Sequence, residues 1–232
     1  RDYYASRGLG DVYKRQCEYL PDAYCRTSCS GQYLLSCKSP YYQGGVNTME
    51  KHITAPITKE TAKSLHAGDY VYVTGTIYTA RDAAHKRMDE ALDRGGELPI
   101  DIKNQAIYYM GPSPAREGRP IGSAGPTTAN RMDKYAPRLL DLGQTAMIGK
   151  GKRSQAVIDA VVRNGCVYLA AIGGAGALLS KCIKSSEVVA YEDLGTEAIR
   201  KLQVENLPVI VVIDSEGNNL YETAIRLSLI HI

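Results

Sequence analysis

From Met49 onward the sequence predicts an α/β domain with a largely parallel sheet. Strand-like and helix-like segments alternate along the chain, which is the pattern of a parallel sheet crossed by helices. No internal repeat of fixed period interrupts that alternation. Trp and Phe are both absent while Tyr numbers 17, so the core is expected to be aliphatic with tyrosines at its margins.

The elements follow in order. Asp69–Ala80 (DYVYVTGTIYTA) alternates apolar and polar residues and is rich in β-formers, so it is expected as a strand. Arg81–Gly96 reads as a helix, with Asp82 near its start and Gly95 and Gly96 ending it. QAIYYMG is a short strand that runs into the Pro/Gly-rich loop Gly111–Gly125. A helix is predicted from Thr127 towards Leu142, with Met132, Tyr135, Leu139, Leu140 and Leu142 roughly on one face. TAMIGKG is a strand and turn, and Ser154 opens a helix that Gly165 closes. CVYLAAIGG is a buried strand, AGALLSKCIKSS a short helix and EVVAYEDL a strand. Gly195–Asn206 (GTEAIRKLQVEN) is predicted as a helix, and LPVIVVIDSEGNNLYE as a closing strand and turn.

The chain has 232 residues, 44% of them hydrophobic and 23% charged, enough for a packed core in one domain or two small ones. No apolar run approaches the ~18–20 residues of a membrane span. The N-terminus carries no basic-then-apolar secretory pattern. A net charge of +3 gives no footprint for nucleic acid. Tyr4–Gln16 (YASRGLGDVYKRQ) and Leu227–Ile232 (LSLIHI) resemble translated sequencing-adapter sequence. Cys17–Thr48 has a poor hydrophobic pattern. Residues 1–48 and 226–232 are therefore expected to be non-native or disordered, with Met49 the true start and residues 49–225 the domain. Cys17, Cys25, Cys29 and Cys37 match none of the paired C-x2-C ligand patterns. Cys166 and Cys182 sit in apolar segments and read as small buried hydrophobes, and reduced thiols suit a cytoplasmic protein.

Candidate chemistry gathers at three strand-to-helix transitions. In IGSAGPTTANRMDKYAP, a loop ending in Gly125-Pro126 feeds a predicted helix N-terminus, where free N–H groups and the helix dipole favour an anion. Thr127 and Thr128 add hydroxyls, and Arg131, one turn on, offers a planar fork for a carboxylate or phosphate. The structural alternative is a capping threonine beside a surface arginine. In MIGKGKRS, Lys150 stands between two glycines at the end of an apolar strand, where ligands of α/β sheets collect. A phosphate-binding Walker loop does not fit, because Gly143 to Gly149 encloses five residues and Gly151 follows the lysine. Lys152 and Arg153 read as a solvated turn. In TARDAAHKR, Arg81 ends a strand and opens a helix, free to pair with Asp82 or Glu90, while His85 reads as a packing or surface residue. Three cations at three such transitions suggest one small polyanionic ligand.

Five blocks in order, TARDAAHKRM, GSAGPTTANRMD, MIGKG, AAIGGAGAL and YEDLGTEAI, resemble the β subunit, or C-terminal half, of the iron–sulfur class I fumarases and L-tartrate dehydratases. The resemblance covers nearly all of Met49–Glu222. It implies a swivelling β/β/α domain of a hydro-lyase that reversibly dehydrates a 2-hydroxy-dicarboxylate, with (S)-malate to fumarate leading and tartrate to oxaloacetate as the alternative. It implies that Arg81, Arg131 and Lys150 hold substrate carboxylates, that Thr127 stands in the place of the catalytic base, and that Thr128 and Gly125 shape the loop. It implies a [4Fe–4S] cluster held by a partner α subunit, with no metal ligand in this chain. A bare threonine is a poor base, so Thr127 would need a strongly cationic pocket or a relay. Expelling hydroxide calls for a Lewis acid, which Arg81, Arg131 and Lys150 do not supply, so a partner is expected to bring it. A stand-alone anion-binding module without catalysis is the reading from a different class.

Overall fold

The computed structural model describes residues 50–224. Within them lie seven strands: β1 Glu50–Ala55, β2 Tyr70–Thr79, β3 Ala106–Tyr108, β4 Ala146–Gly149, β5 Val167–Ala170, β6 Ile183–Ala190 and β7 Ile199–Ile213. The helices are α1 Lys59–Lys63, α2 Asp82–Asp93, α3 Ala136–Asp141, α4 Gln155–Asn164 and α5 Gly176–Leu179. The expected domain boundary at Met49, both adapter-like ends, and Cys17, Cys25, Cys29 and Cys37 lie outside the described residues.

All seven strands form one mixed, mostly parallel sheet. Strands β1 to β5 pair in sequence order, each parallel to the next. β7 then runs antiparallel against β2 along one side, and against β6 and β5 along the other. The pairings therefore return on themselves, β2–β3–β4–β5–β7–β2, leaving β1 and β6 as flanking strands.

The apolar residues divide between the two faces of this sheet, as strand alternation requires. Ala106, Tyr108, Ala146, Ile148, Val167 and Leu169 pack on one face with Val71, Val73, Ile77 and Leu202, Val204, Leu207, Val209 and Val211 of β7. Ile107, Met147 and Tyr168, one residue out of phase, pack on the other face against α2, α3 and α4. Both faces of β3–β5 are thus dry, which is why those segments are continuous apolar runs.

Ser154 and Gly165 flank α4 where the sequence placed its ends, Ser154 without a side-chain capping bond. Gly165 caps α4 in the left-handed conformation, φ 63°, ψ 43°. Two segments depart from expectation. The helix predicted from Thr127 is instead a 3-10 turn, Ala129–Met132, followed by a separate α3 with Pro137 in its first turn. Pro137 has no N–H for the carbonyl of Asp133 and its ring would clash there, so one continuous helix cannot pass. The helix predicted at Gly195–Asn206 is a short 3-10 segment, Glu192–Glu197, and then the first half of the 15-residue β7. The predicted strand from Leu207 is the second half of that same strand. Leu202, Val204, Leu207, Val209 and Val211 are buried in near-alternation, with Asn206 at φ 50° absorbing the extra residue between Val204 and Leu207. AGALLSKCIKSS is helical only to Leu179; a 3-10 turn follows, and Ile183 begins β6. β1 and α1 carry no counterpart in the sequence reading.

Gly75 is the tightest point of the sheet. Its φ is +122°, and a Cβ there would stand 2.3 Å from the carbonyl oxygen of Ala55, its partner on β1. Gly75→Ala is expected to lower stability by about 1–3 kcal/mol, the range for forced backbone strain. Urea unfolding of the full chain checks this; an unchanged midpoint would contradict the close approach.

Candidate active site

The carboxyl ends of β2, β3, β4 and β5 meet at one rim, because those strands are parallel. The rim carries Arg81 two residues beyond β2, Tyr109 and Met110 beyond β3, Lys150 beyond β4, and Ala171–Gly174 beyond β5. The loop that leaves β3 returns to this edge. Pro126 bridges to Met110, and Thr128 forms a parallel bridge with Lys150. The Thr127 N–H donates to the Tyr109 carbonyl at 2.7 Å, and the Ala129 N–H to the Lys150 carbonyl at 2.8 Å. Thr127 and Thr128 are therefore stitched between the ends of β3 and β4. The Ala124 N–H, donating to Gly176 O at 3.0 Å, ties the loop to the start of α5.

The segment is placed by strand pairing, so the α-helical N-terminus expected at Thr127 is absent. A four-residue 3-10 turn starts after Thr128, whose hydroxyl makes no capping hydrogen bond. Thr127 is partly buried and Thr128 exposed at the rim. Arg131 leaves the turn with its side chain 53% exposed and reaches Asp82 Oδ2 at 2.6 Å. Arg81 lies against the same carboxylate oxygen at 3.8 Å and against Glu197 Oε1 at 3.4 Å. Its Nε is buried without a hydrogen-bond partner. The structure thus brings Arg81 and Arg131 together through Asp82, and Thr127, Thr128 and Lys150 together through backbone pairing.

Asp82 and Glu197 were not singled out as site residues by the sequence. Glu197 also accepts the Ala83 N–H at 2.9 Å, so it caps the first turn of α2 while holding Arg81. The only sequence cue to Glu197 was its place in the block YEDLGTEAI. Three cations and two carboxylates at one rim leave an excess of positive charge, and planar guanidinium forks there can bind a carboxylate through paired N–H groups.

Arg153 overturns the expectation of a solvated turn. Its side chain is fully buried and pairs with Asp133 Oδ1 at 2.7 Å. Its guanidinium lies over the rings of Tyr109 and Tyr168, at 5.3 and 5.0 Å from their centroids. Lys152, the other half of that expectation, is exposed. Cys166 is buried as expected, whereas Cys182 is only partly buried.

His85 is a packing residue, wholly buried on α2 with Tyr109 edge-on at 5.3 Å. Its Nδ1 lies 2.8 Å from the Arg81 carbonyl. A carbonyl only accepts, so Nδ1 carries the proton. Burial lowers its pKa to about 4; the hydrogen bond to the Arg81 carbonyl opposes the shift, and the Arg153 charge adds to it. The unfolded chain holds the proton up to ~6.5, so between those values it binds more protons than the folded chain. Stability contributed by the neutral ring is full above pH 6.5 and is lost as the pH falls towards 4, by about 3 kcal/mol in all. His85→Gln is expected to flatten this part of the stability–pH curve. An unchanged slope between pH 6.5 and 4 would place the titration elsewhere.

The description "Fumarase C-terminus" belongs to the family model that matches residues 28–224. The chain is 46% identical over 156 residues to "Fumarate hydratase class I, anaerobic" of Escherichia coli K12, covering 66% of this chain and 28% of that protein. It is 42% identical over 156 residues to "Fumarate hydratase 2" of Leishmania major, with 66% and 28% covered. To "Putative L(+)-tartrate dehydratase subunit beta" of Methanocaldococcus jannaschii it is 39% identical over 172 residues, with 72% and 88% covered. The chain spans little more than a quarter of the fumarate hydratases it matches. The family model takes in most of the sequence, and the chain belongs to the fumarase C-terminus family.

Proposed function

We propose that this chain is the β subunit of an iron–sulfur hydro-lyase that reversibly dehydrates a 2-hydroxy-dicarboxylate, with (S)-malate and fumarate as the leading pair. The observation that carries the reading is the stitching of Thr127–Ala129 between the ends of β3 and β4, which brings Arg131, two residues on, to one rim with Lys150 and Arg81. A dicarboxylate needs two separated cationic contacts. Arg131 supplies the fork for one carboxylate, supported by Arg81, and Lys150 supplies a point charge for the other. Thr127 is bonded through its N–H to the Tyr109 carbonyl, next to the Thr128–Lys150 bridge, and on this reading its hydroxyl acts on the carbon beside a bound carboxylate. Its hydroxyl gains acidity only from the surrounding cations or from a relay, and Thr128 shapes the turn that presents it. Tartrate as substrate is the second reading, favoured by coverage of 88% of the named tartrate dehydratase β subunit.

The family's [4Fe–4S] cluster does not fit the described residues. Among them no group of three His, Cys, Asp or Glu side chains stands close enough to hold a metal. The Cys166 thiol donates to Gln144 O at 3.1 Å, and burial pushes its pKa up to about 12. Cys182 faces the Asn206 carbonyl. Thiolate ligation needs accessible, readily deprotonated sulfur. On this reading the cluster is held by an α subunit that completes the site over the rim, and the mixed sheet is the family's swivelling β/β/α domain.

Co-expression with a cluster-bearing α subunit, followed by anaerobic assay of malate, fumarate and tartrate, tests the proposal. Turnover of one of them by the assembly, with none by this chain alone, is the expected result; no turnover by an assembled, cluster-loaded complex would overturn it. Within the assembly, Arg131→Ala is expected to lower kcat/KM at least ~30-fold, since truncating one partner of a desolvated charge pair costs about 2 kcal/mol or more. Arg131→Lys restores part of this, because an ammonium lacks the fork. Thr127→Ala lowers kcat more than it raises KM if the hydroxyl acts in the transition state. Lys152→Ala changes little. Equal damage from Lys152→Ala, with near-normal turnover in Arg131→Ala, would refute the choice of cations.

A further inference from the structure

We propose that Arg153 is a positioning residue for this site, a buried cation whose partners each hold one candidate substrate contact in place. The assignment rests on the hydro-lyase reading above. Burying a guanidinium costs several kcal/mol unless its partners replace water well, so a fully buried arginine at the end of a turn calls for a reason.

Its partners supply that reason. Asp133 Oδ1 takes Arg153 Nε at 2.7 Å, and Oδ2 of the same carboxylate accepts the Ser154 N–H at 2.6 Å. Asp133 is also the residue that ends the 3-10 turn carrying Arg131. The Tyr109 ring lies under the guanidinium, and the Tyr109 carbonyl is the acceptor for the Thr127 N–H. The Tyr168 ring lies on it as well, and the Tyr168 hydroxyl donates to the Gly151 carbonyl at 2.9 Å, one residue from Lys150. One planar charge is therefore wired by single contacts to the supports of Arg131, Thr127 and Lys150. A lysine can keep the charge and the ion pair, but it cannot stack as a plane against two rings. Arg153→Lys should thus leave the fold standing and loosen the rim.

Two readouts test this. Amide hydrogen exchange on the full chain without ligand follows the Thr127 and Ala129 N–H groups at the rim, and the Asn104 N–H, bonded to Gly143 O at 2.9 Å, beyond the opposite ends of β3 and β4. Arg153→Lys is expected to speed exchange at Thr127 and Ala129 and leave Asn104 unchanged. In the co-expressed assembly, kcat is expected to fall about 10- to 100-fold, as small misplacements of reacting groups do, with a smaller change in KM. Arg163→Ala, which removes an exposed pair with Asp141, serves as the control and keeps normal turnover. If Arg153→Lys does not fold, Asp133→Asn reads the same amides and the same kcat, with effects in the same direction. Exchange that rises equally at both ends of the sheet, or kcat within about twofold of a working wild type when Asn104 and Thr127 behave alike, assigns Arg153 to general stability and overturns the proposal. Should the wild-type assembly turn over none of the diacids, the hydro-lyase reading fails on its own account, while the exchange comparison still decides whether Arg153 holds the rim.

Discussion

Everything at the candidate site depends on the closure of the sheet by β7. That strand pairs with β2 along one edge and with β6 and then β5 along the other. Each pairing fixes backbone that would otherwise expose unsatisfied N–H and C=O groups. With β2 and β5 both held by β7, the parallel run between them cannot splay. The carboxyl ends of β2 to β5 are then forced onto one rim, and four short segments, each unremarkable alone, meet there. The close approach of Gly75 to Ala55 belongs to the same constraint, since β2 carries partners on both sides along its length.

Within the rim, charge is arranged in two tiers. The outer tier is Arg131, Lys150, Thr127 and Thr128, none of them fully buried. The inner tier is Arg81 with Asp82 and Glu197, and, deeper, Arg153 with Asp133. Arg131 is half-exposed and shares Asp82 with Arg81, so a substrate carboxylate can draw Arg131 away while Arg81 stays beside Asp82. The buried pair is different, because removing one partner strands a charge in a dry interior. An adaptable outer surface thus stands on a rigid inner one, which is the arrangement that preorganised binding of a small dianion calls for.

The sequence made parts of this legible and concealed others for physical reasons. β2, α2 and α4 were readable because period, caps and breakers agreed over a long enough span, as at Asp82 and Gly165. Arg81 and Lys150 could be placed at a sheet edge because each closely follows a strand, whereas Arg131 sits in a 3-10 turn that the sequence presented as a helix. β7 was not, because Ile199 and Leu202 share a helical spacing and good helix formers lie between them; double-sided strand pairing overrode that preference. The Thr127 segment was misread because its threonines resemble a helix cap, although Pro137 lies ten residues on and its conformation comes from pairing with Tyr109 and Lys150. Arg153 was hidden more deeply. Its neighbours in sequence are Lys152 and Ser154, both exposed, and its partners Tyr109, Asp133 and Tyr168 come from distant segments that only the folded sheet unites.

The most direct measurement is the structure of the proposed assembly with an α subunit and a bound dicarboxylate such as (S)-malate. A site built on the rim requires carboxylate oxygens within about 3 Å of Arg131 and Lys150 nitrogens, with Thr127 facing the ligand. A dicarboxylate seated beside Lys103 and Asn104 at the opposite ends of the strands, with Arg131 and Lys150 untouched, would contradict it.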